Sequence, residues 1–221
     1  MPELPEVETI RLTLEPKLIG KSIIGAAVHF EKLIQNLAVD DFLKQIDHKQ
    51  FVRLSRRGKY LLFYLSGDLV LTVHLRMTGQ LMVEPAVNPL AKATYMQLTL
   101  GDGNELRFRD QRKFGRVALF DVHHPLAAIE KLGPEPLSTE FTVQCLKERL
   151  NQRKIAVKKA LLDQEIIAGI GNIYADEALF LAGIHPARLI PSLTAEELEQ
   201  LYNAIRQVLT EGIENRGTTK R

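Results

Sequence analysis

Leu132-Gly133-Pro134-Glu135-Pro136-Leu137-Ser138 divides the chain into two stretches of different character. Two prolines and a glycine within this segment break any regular element, so it reads as a linker. Upstream of it the pattern is that of strands. Arg53 to Leu65 holds the turn Ser55-Arg56-Arg57-Gly58 and then the apolar run Tyr60 to Leu65. Leu69 to Met77 alternates, with Leu71, Val73, Leu75 and Met77 on one side and Thr72, His74 and Arg76 on the other. Tyr95 to Leu100 and Leu106 to Phe108 flank the hairpin signal Gly101-Asp102-Gly103-Asn104, and Val117 to Val122 reads as a further strand. In front of the strands, Val7, Ile10, Leu12, Leu14 and Leu18 fit an amphipathic helix from Pro5 to Ile19, ended by Gly20. Downstream, Phe141 to Leu150, Ile155 to Leu162, Ile173 to Ala182 and Ala195 to Glu214 have helical periodicity, and Thr194 with Glu197 forms a capping box. The expected class is therefore α+β: an N-terminal helix and an antiparallel β-sandwich over residues 1–131, a linker over 132–138, and an all-helical domain over 139–221.

Composition narrows the function classes. The 221 residues are 45% hydrophobic, enough for a real core, yet no apolar run approaches the roughly 18 residues of a membrane span. The acidic, proline-containing start is unlike a signal peptide, so a cytoplasmic protein without a membrane partner is expected. The single cysteine, Cys145, excludes an internal disulfide and a cysteine-rich zinc site, and it reads as a small buried hydrophobe. The six histidines show no metal-ligand spacing with it, so no metal is expected. Net charge is only +2, but Phe51 to Tyr60, Glu105 to Arg116 and Asn151 to Ala160 carry +4, +3 and +4, which leaves −9 for the remainder. These windows are either one polyanion-binding face or three separate solvated patches.

Three places invite chemistry. Removal of Met1 would expose Pro2 as a secondary amine, with Glu3 beside it as a proton donor or acceptor. Alternatively, Pro5 with Glu6 and Glu8 simply starts a helix. Gly169-Ile170-Gly171-Asn172 precedes a helix: Asn172 is a suitable N-cap, and the free amides form either a phosphate cradle or a plain turn. Lys158 and Lys159 on the preceding helix would add charge to such a cradle. Met77, Arg112 and Phe114 are the third group, either core and surface residues or two apolar wedges and a cation able to fill the gap left by an extruded base.

Taken together, these segments resemble the formamidopyrimidine-DNA glycosylase family of base-excision enzymes, over nearly the whole chain. Met1-Pro2-Glu3-Leu4-Pro5-Glu6-Val7-Glu8-Thr9 is similar to its N-terminal signature and Ser55-Arg56-Arg57-Gly58-Lys59-Tyr60 to its lysine turn. His74-Leu75-Arg76-Met77 and Arg109-Asp110-Gln111-Arg112-Lys113-Phe114-Gly115 resemble its void-filling loops, and Leu161 to Gln164 through Gly171 to Glu177 its helix-two-turns-helix. Leu4, where the related endonuclease VIII branch usually has glycine, favours the oxidised-purine branch.

The resemblance implies a bifunctional glycosylase and abasic-site lyase that removes oxidised purines such as 8-oxoguanine and formamidopyrimidines. Pro2 would attack C1′, Glu3 would protonate the sugar ring oxygen, Lys59 would hold a phosphate near the reaction, and Glu6 would order the N-terminal segment. Met77, Arg112 and Phe114 would fill the duplex, with Arg112 facing the orphaned cytosine; His74, Lys59, Lys158 and Asn172 would contact phosphates. The expected partner is double-stranded DNA bearing an oxidised purine or abasic site, met by a monomer in the bacterial cytosol. The family continues into a four-cysteine zinc finger, whereas this chain stops at Arg221, so a truncated form without zinc or other cofactor is expected. Two rival readings are a catalytically weak or inactive damaged-DNA-binding protein and an RNA-associated helical module.

Overall fold

The computed structural model describes residues 1–217; the last residues of the expected helical domain, 218–221, lie outside the described residues. The chain forms two compact units, and they are not the two contiguous domains expected. Glu3–Thr9 and Arg57–Lys59 cluster with Ala127–Arg221, while Met1–Pro2, Ile10–Arg56 and Tyr60–Leu126 form the other unit. By packing, the upstream unit ends at Leu126, and two short upstream segments group with the helical unit. The reason is local packing: Leu4 is fully buried in the hydrophobic cluster of the helical unit, and the backbone of Gly58 is held by Glu135.

The first unit contains two four-stranded antiparallel sheets. One has the order β1 (Ile23–Val28), β6 (Thr94–Leu100), β7 (Asn104–Asp110), β5 (Gly79–Pro85), and the other β2 (Phe51–Arg57), β3 (Tyr60–Leu65), β4 (Leu69–His74), β8 (Arg116–Asp121). The expected alternation of β4 does not hold, because Thr72 and His74 are buried along with Leu71 and Val73. β4 lies between β3 and β8, so both of its edges are paired, and Thr72 satisfies its hydroxyl by donating to the Ala118 carbonyl at 3.2 Å. The turn after β2 also moves: Ser55 to Arg57 are strand, and Gly58, at φ +56°, makes the reversal with Lys59. A helix α2 at Val39–Ile46 had not been expected.

Helix α1 (Leu4–Leu18) begins one residue before its expected start. After a short α3 (Ala127–Glu130), the second unit comprises α4 (Val143–Leu150), α5 (Val157–Leu162), α6 (Asn172–Leu181) and α7 (Ala195–Glu214). Their apolar faces meet in a core that includes Leu146, Leu161, Ile167, Ala178, Leu201 and Ile205. Cys145 is only partly buried against that core. The capping box of Thr194 and Glu197 is present in full on α7. Among the described residues, no helix is long and apolar enough to cross a membrane.

Candidate active site

The glycine turn before α6 does not present its amides to solvent; the Glu3 side chain occupies them. Glu3 is 3% exposed, and its Oε2 accepts hydrogen bonds from Gly171 N at 2.7 Å and Tyr174 N at 3.3 Å, while Oε1 accepts from Ile173 N at 3.0 Å. A carboxylate thus caps the positive end of α6 from a position far upstream in the chain. The N-cap residue is Gly171, not Asn172, which is the first helical residue and is exposed. The glycines are needed for this arrangement. A Cβ on Gly171 would stand 2.4 Å from the Glu3 carboxyl carbon, and one on Gly169, at φ +90°, would stand 2.7 Å from Leu4.

Glu6 completes the N-terminal clasp. Its Oε2 accepts from the Glu3 amide at 2.9 Å and its Oε1 from the Tyr174 hydroxyl, also at 2.9 Å. Burial, and then the adjacent Glu6 carboxylate, push the Tyr174 phenol well above its ordinary range, so the hydroxyl remains a donor at any working pH. Gly212 on α7 makes room for it, since a Cβ there would lie 2.6 Å from the Tyr174 oxygen. Pro2, the candidate nucleophile, is partly exposed and clusters with the sheet unit, next in the chain to Glu3. Its nitrogen is an amide while Met1 precedes it.

Lys59 is 6% exposed and donates from Nζ to the Ile170 carbonyl at 2.8 Å. It is therefore seated on the same turn that receives Glu3. Gln164 also donates to Ile170 O, at 2.8 Å, and accepts from Gly169 N at 3.0 Å. Glu135 fixes the hairpin that carries Lys59 by accepting from Gly58 N at 2.5 Å. Lys158 pairs with Asp176 at 2.7 Å, so a phosphate would have to compete with that carboxylate. His74 differs from its expected place too. It is 7% exposed, its Nδ1 accepts from Arg76 N at 3.1 Å, and its ring stands edge-on to Tyr60 at 4.7 Å.

In the sheet unit, Met77 and Phe114 are each 45% exposed, large apolar side chains held out from turns. Met77 lies in the connection from β4 to β5 and Phe114 in that from β7 to β8, where Arg112 places its guanidinium 4.8 Å from the Phe114 ring centre. Of the alternatives for Met77, the structure selects the strand-end position. The positive charge of this stretch is partly spent inside the fold. Arg107 is 1% exposed, bonded to Glu105 at 2.8 Å and to Glu84 at 3.1 Å, and Arg109 bonds Glu84 at 2.7 Å.

Sequence reasoning assigned no role to Tyr174, Gln164, Glu135 or Asp110. Asp110 alone had a local signal, because aspartate at the head of a turn is apt to accept from the amide two residues on. Among the described residues, no three His, Cys, Asp or Glu side chains converge to hold a metal ion. With Cys145 the one cysteine of the chain, a four-cysteine zinc site does not fit these residues.

Comparison with known proteins gives the same picture across both units. Residues 1–117 match the formamidopyrimidine-DNA glycosylase N-terminal domain, and residues 132–221 match the formamidopyrimidine-DNA glycosylase H2TH domain. The formamidopyrimidine-DNA glycosylase of Carboxydothermus hydrogenoformans is 50% identical over 221 residues, covering 100% of this chain and 81% of the relative. That of Pelotomaculum thermopropionicum is 49% identical over 223 residues, with the same coverage of 100% and 81%. Among solved structures, a Lactococcus lactis Fpg mutant in complex with DNA containing Fapy-dG superposes with a TM-score of 0.94 at 34% identity, covering 100% of this chain and 81% of that one. Lactococcus lactis Fpg bound to abasic-site DNA gives a TM-score of 0.93 at 33% identity, over 99% and 81%. The buried glutamate beside Pro2, the seated lysine of the hairpin and the exposed loops of Met77 and Phe114 therefore stand in a chain that belongs to the formamidopyrimidine-DNA glycosylase family.

Proposed function

We propose that this protein is a base-excision repair enzyme, a DNA glycosylase and abasic-site lyase that removes oxidised purines from double-stranded DNA. The observation that carries the reading is the clasp behind Pro2: Glu3 and Glu6 are locked by Gly171, Ile173 and Tyr174, which fixes the direction in which the chain's first residues leave α1. Once Met1 is removed, the Pro2 amine attacks C1′ of an extruded nucleotide and the base leaves with the electrons of its bond to C1′; the Glu3 carboxylate takes the proton that the Pro2 nitrogen releases and passes it to the sugar ring oxygen as the bond from C1′ to that oxygen breaks. The product is an iminium between Pro2 and the sugar. Its C2′ proton is then lost with the 3′ phosphate, and δ-elimination releases the 5′ phosphate, cutting both sides of the abasic site. Lys59 holds the turn at Ile170 in place and supplies positive charge near the reacting strand. Met77, Arg112 and Phe114 enter the space left in the duplex. Lys158, His74 and Asn172 are proposed phosphate neighbours, and for Lys158 the contact requires release from Asp176. The chemistry runs on side chains and the terminal amine without a cofactor, in a monomer of the bacterial cytosol.

Borohydride reduction in the presence of an 8-oxoguanine:cytosine duplex tests the reading. A covalent adduct is expected, its mass mapping to the Pro2 nitrogen, and it is lost in a control whose N-terminal extension keeps that nitrogen an amide, with intact mass showing Met1 removed from the parent. Absence of adduct with both that duplex and a plain abasic duplex overturns catalysis. Salt-sensitive duplex binding in that case would identify a non-catalytic damaged-DNA-binding protein.

A further inference from the structure

One buried carboxylate joins the loop of Met77 to the loop of Arg112 and Phe114. Asp110 is 1% exposed at the end of β7, opposite Gly79 of β5 in the antiparallel register. Its Oδ1 accepts from the Thr78 hydroxyl, the neighbour of Met77, and from Arg112 N at 3.1 Å. Its Oδ2 accepts from Gly115 N at 2.7 Å, closing the second loop just after Phe114. Thr78 Oγ1 in turn accepts from Arg112 N at 3.2 Å, so hydroxyl, carboxylate and amide form a closed triangle between two segments more than thirty positions apart in the chain.

Both loops are stiff at these contacts. Arg76 and Lys113 adopt left-handed backbone at φ 54° and 58°, conformations that non-glycine residues hold only when their surroundings impose them. A Cβ on Gly79 would stand 2.4 Å from the Leu75 carbonyl oxygen, and one on Gly115 would stand 2.3 Å from the Phe108 ring. Each loop is packed closely against its own flanking residues, with no room for a side chain at its glycine. Asp110 itself faces inward, so what it contributes is the position of the residues that face out.

We propose that Asp110, through Thr78, is a positioning residue that sets the two loops in one register and thereby determines how strongly the enzyme discriminates the base opposite the lesion. The proposal rests on the reading of Met77, Arg112 and Phe114 as the residues that fill the duplex. The physical demand is for an acceptor at every corner. A carboxylate offers two oxygens and no donor, whereas an asparagine must turn an NH2 group toward the Thr78 and Arg112 side or toward Gly115, leaving a donor against a donor. Asp110→Asn therefore preserves shape and breaks the register. Thr78→Val removes only the tie between the loops and leaves the bond from Asp110 to Gly115 intact.

Single-turnover excision of 8-oxoguanine opposite cytosine and opposite adenine provides the test, with borohydride trapping on a single-stranded abasic oligonucleotide measured beside it. For Asp110→Asn we expect a fall of roughly tenfold in excision opposite cytosine, the scale of a lost charge-assisted hydrogen bond. The preference for cytosine over adenine shrinks by about threefold, and Thr78→Val moves it the same way by less. Trapping on the single strand, which has no opposite base to meet, falls by less than the duplex rate. If Asp110→Asn does not fold, Thr78→Val decides alone. An unchanged cytosine-to-adenine ratio in the folded variants overturns the role of Asp110. A parent chain, free of Met1, that neither excises nor traps overturns the functional reading, and the role of Asp110 with it.

Discussion

Glu3 and Asp110 are both buried, at 3% and 1% exposure, and both collect backbone amides, yet they organise the protein by opposite means. Glu3 takes three amides from the start of one helix, with Gly171 lying 168 positions away. Asp110 takes amides two and five residues downstream and one hydroxyl from a neighbouring turn. The first carboxylate is seated on a rigid element that exists without it, so its own position is what becomes fixed. The second sits on a strand that exists without it, so the loops around it become fixed. One arrangement aims the acidic side chain itself, and the other aims side chains that are not its own.

That contrast is broken most severely at Glu3. Glu3→Gln keeps the shape but replaces one acceptor oxygen with a donor, setting NH2 against one of the α6 amides. Hydrogen bonds to charged groups are worth about 1.5 to 3 kcal/mol, so melting should fall measurably. The loss in borohydride trapping should be larger, on the order of a hundredfold or more, because the proton donor is removed together with its alignment. A variant that traps as well as the parent would mean that Glu3 is only a helix cap. Asp110→Asn, by comparison, should leave the trap on single strands comparatively intact, and this separates an aimed residue from an aiming one.

A second test reaches the clasp from behind. Gly212→Ala gains roughly 1 kcal/mol in helix propensity but sets a methyl 2.6 Å from the Tyr174 oxygen and 2.7 Å from its ring. Overpacking costs typically 1 to 3 kcal/mol, so net destabilisation is expected, and the hydrogen bond from Tyr174 to Glu6 is displaced. Excision should drop about tenfold, on the scale of one lost hydrogen bond to a charged group. Tyr174→Phe should reproduce the activity loss without the steric cost. If Tyr174→Phe is fully active, the clasp ends at Glu6.

How much of this could be read from the chain follows the same division between local and distant partners. Helix α7 was placed at its observed ends, because Thr194, Glu197 and the apolar stripe of Leu201, Ile205 and Leu209 are local signals. Helix α2 carries a local signal as well, since Val39, Phe42, Leu43 and Ile46 have helical spacing, but at eight residues it is short beside the strands that surround it. Pro2, Glu3 and Glu6 were singled out as a group, but their seat was not: the free amides before α6 read as a phosphate cradle, because nothing in Gly169-Ile170-Gly171-Asn172 reports a carboxylate arriving from residue 3. The burial of Lys59 and His74 was hidden for a related reason. A lysine between glycine and tyrosine looks solvated until the carbonyl of Ile170 is found beside it.

The Asp110 arrangement also carries a pH signature. Burial alone would raise this carboxyl, but hydrogen bonds from Thr78 and from the amides of Gly115, Arg112 and Phe114 outweigh it and hold the group below the usual carboxylate range. A depressed folded value means that the stabilisation is fully present above the unfolded value, about 3.9, and is lost as pH falls through the folded one. The melting difference between the parent and Asp110→Asn should therefore be constant above about pH 5 and shrink below about pH 4. A difference that changed between pH 6 and 8 would mean that another group controls the loops.

The smallest effect is expected at Lys158, where the structure and the proposed DNA contact pull in different directions. Its ion pair with Asp176 spans 2.7 Å with side chains 30% and 55% exposed, and such surface pairs are worth about 0 to 1 kcal/mol. Asp176→Asn should leave melting nearly unchanged while tightening duplex binding about two- to fivefold at low salt, since a negative charge no longer competes with phosphate. Affinity alone does not prove a contact, because removing any nearby acid favours a polyanion. The salt dependence does. If release of Lys158 adds one phosphate contact, the slope of log K against log salt steepens by about 0.9, and Lys158→Met in the Asp176→Asn background returns it. A slope unchanged in both variants would place Lys158 in the fold and not at the DNA.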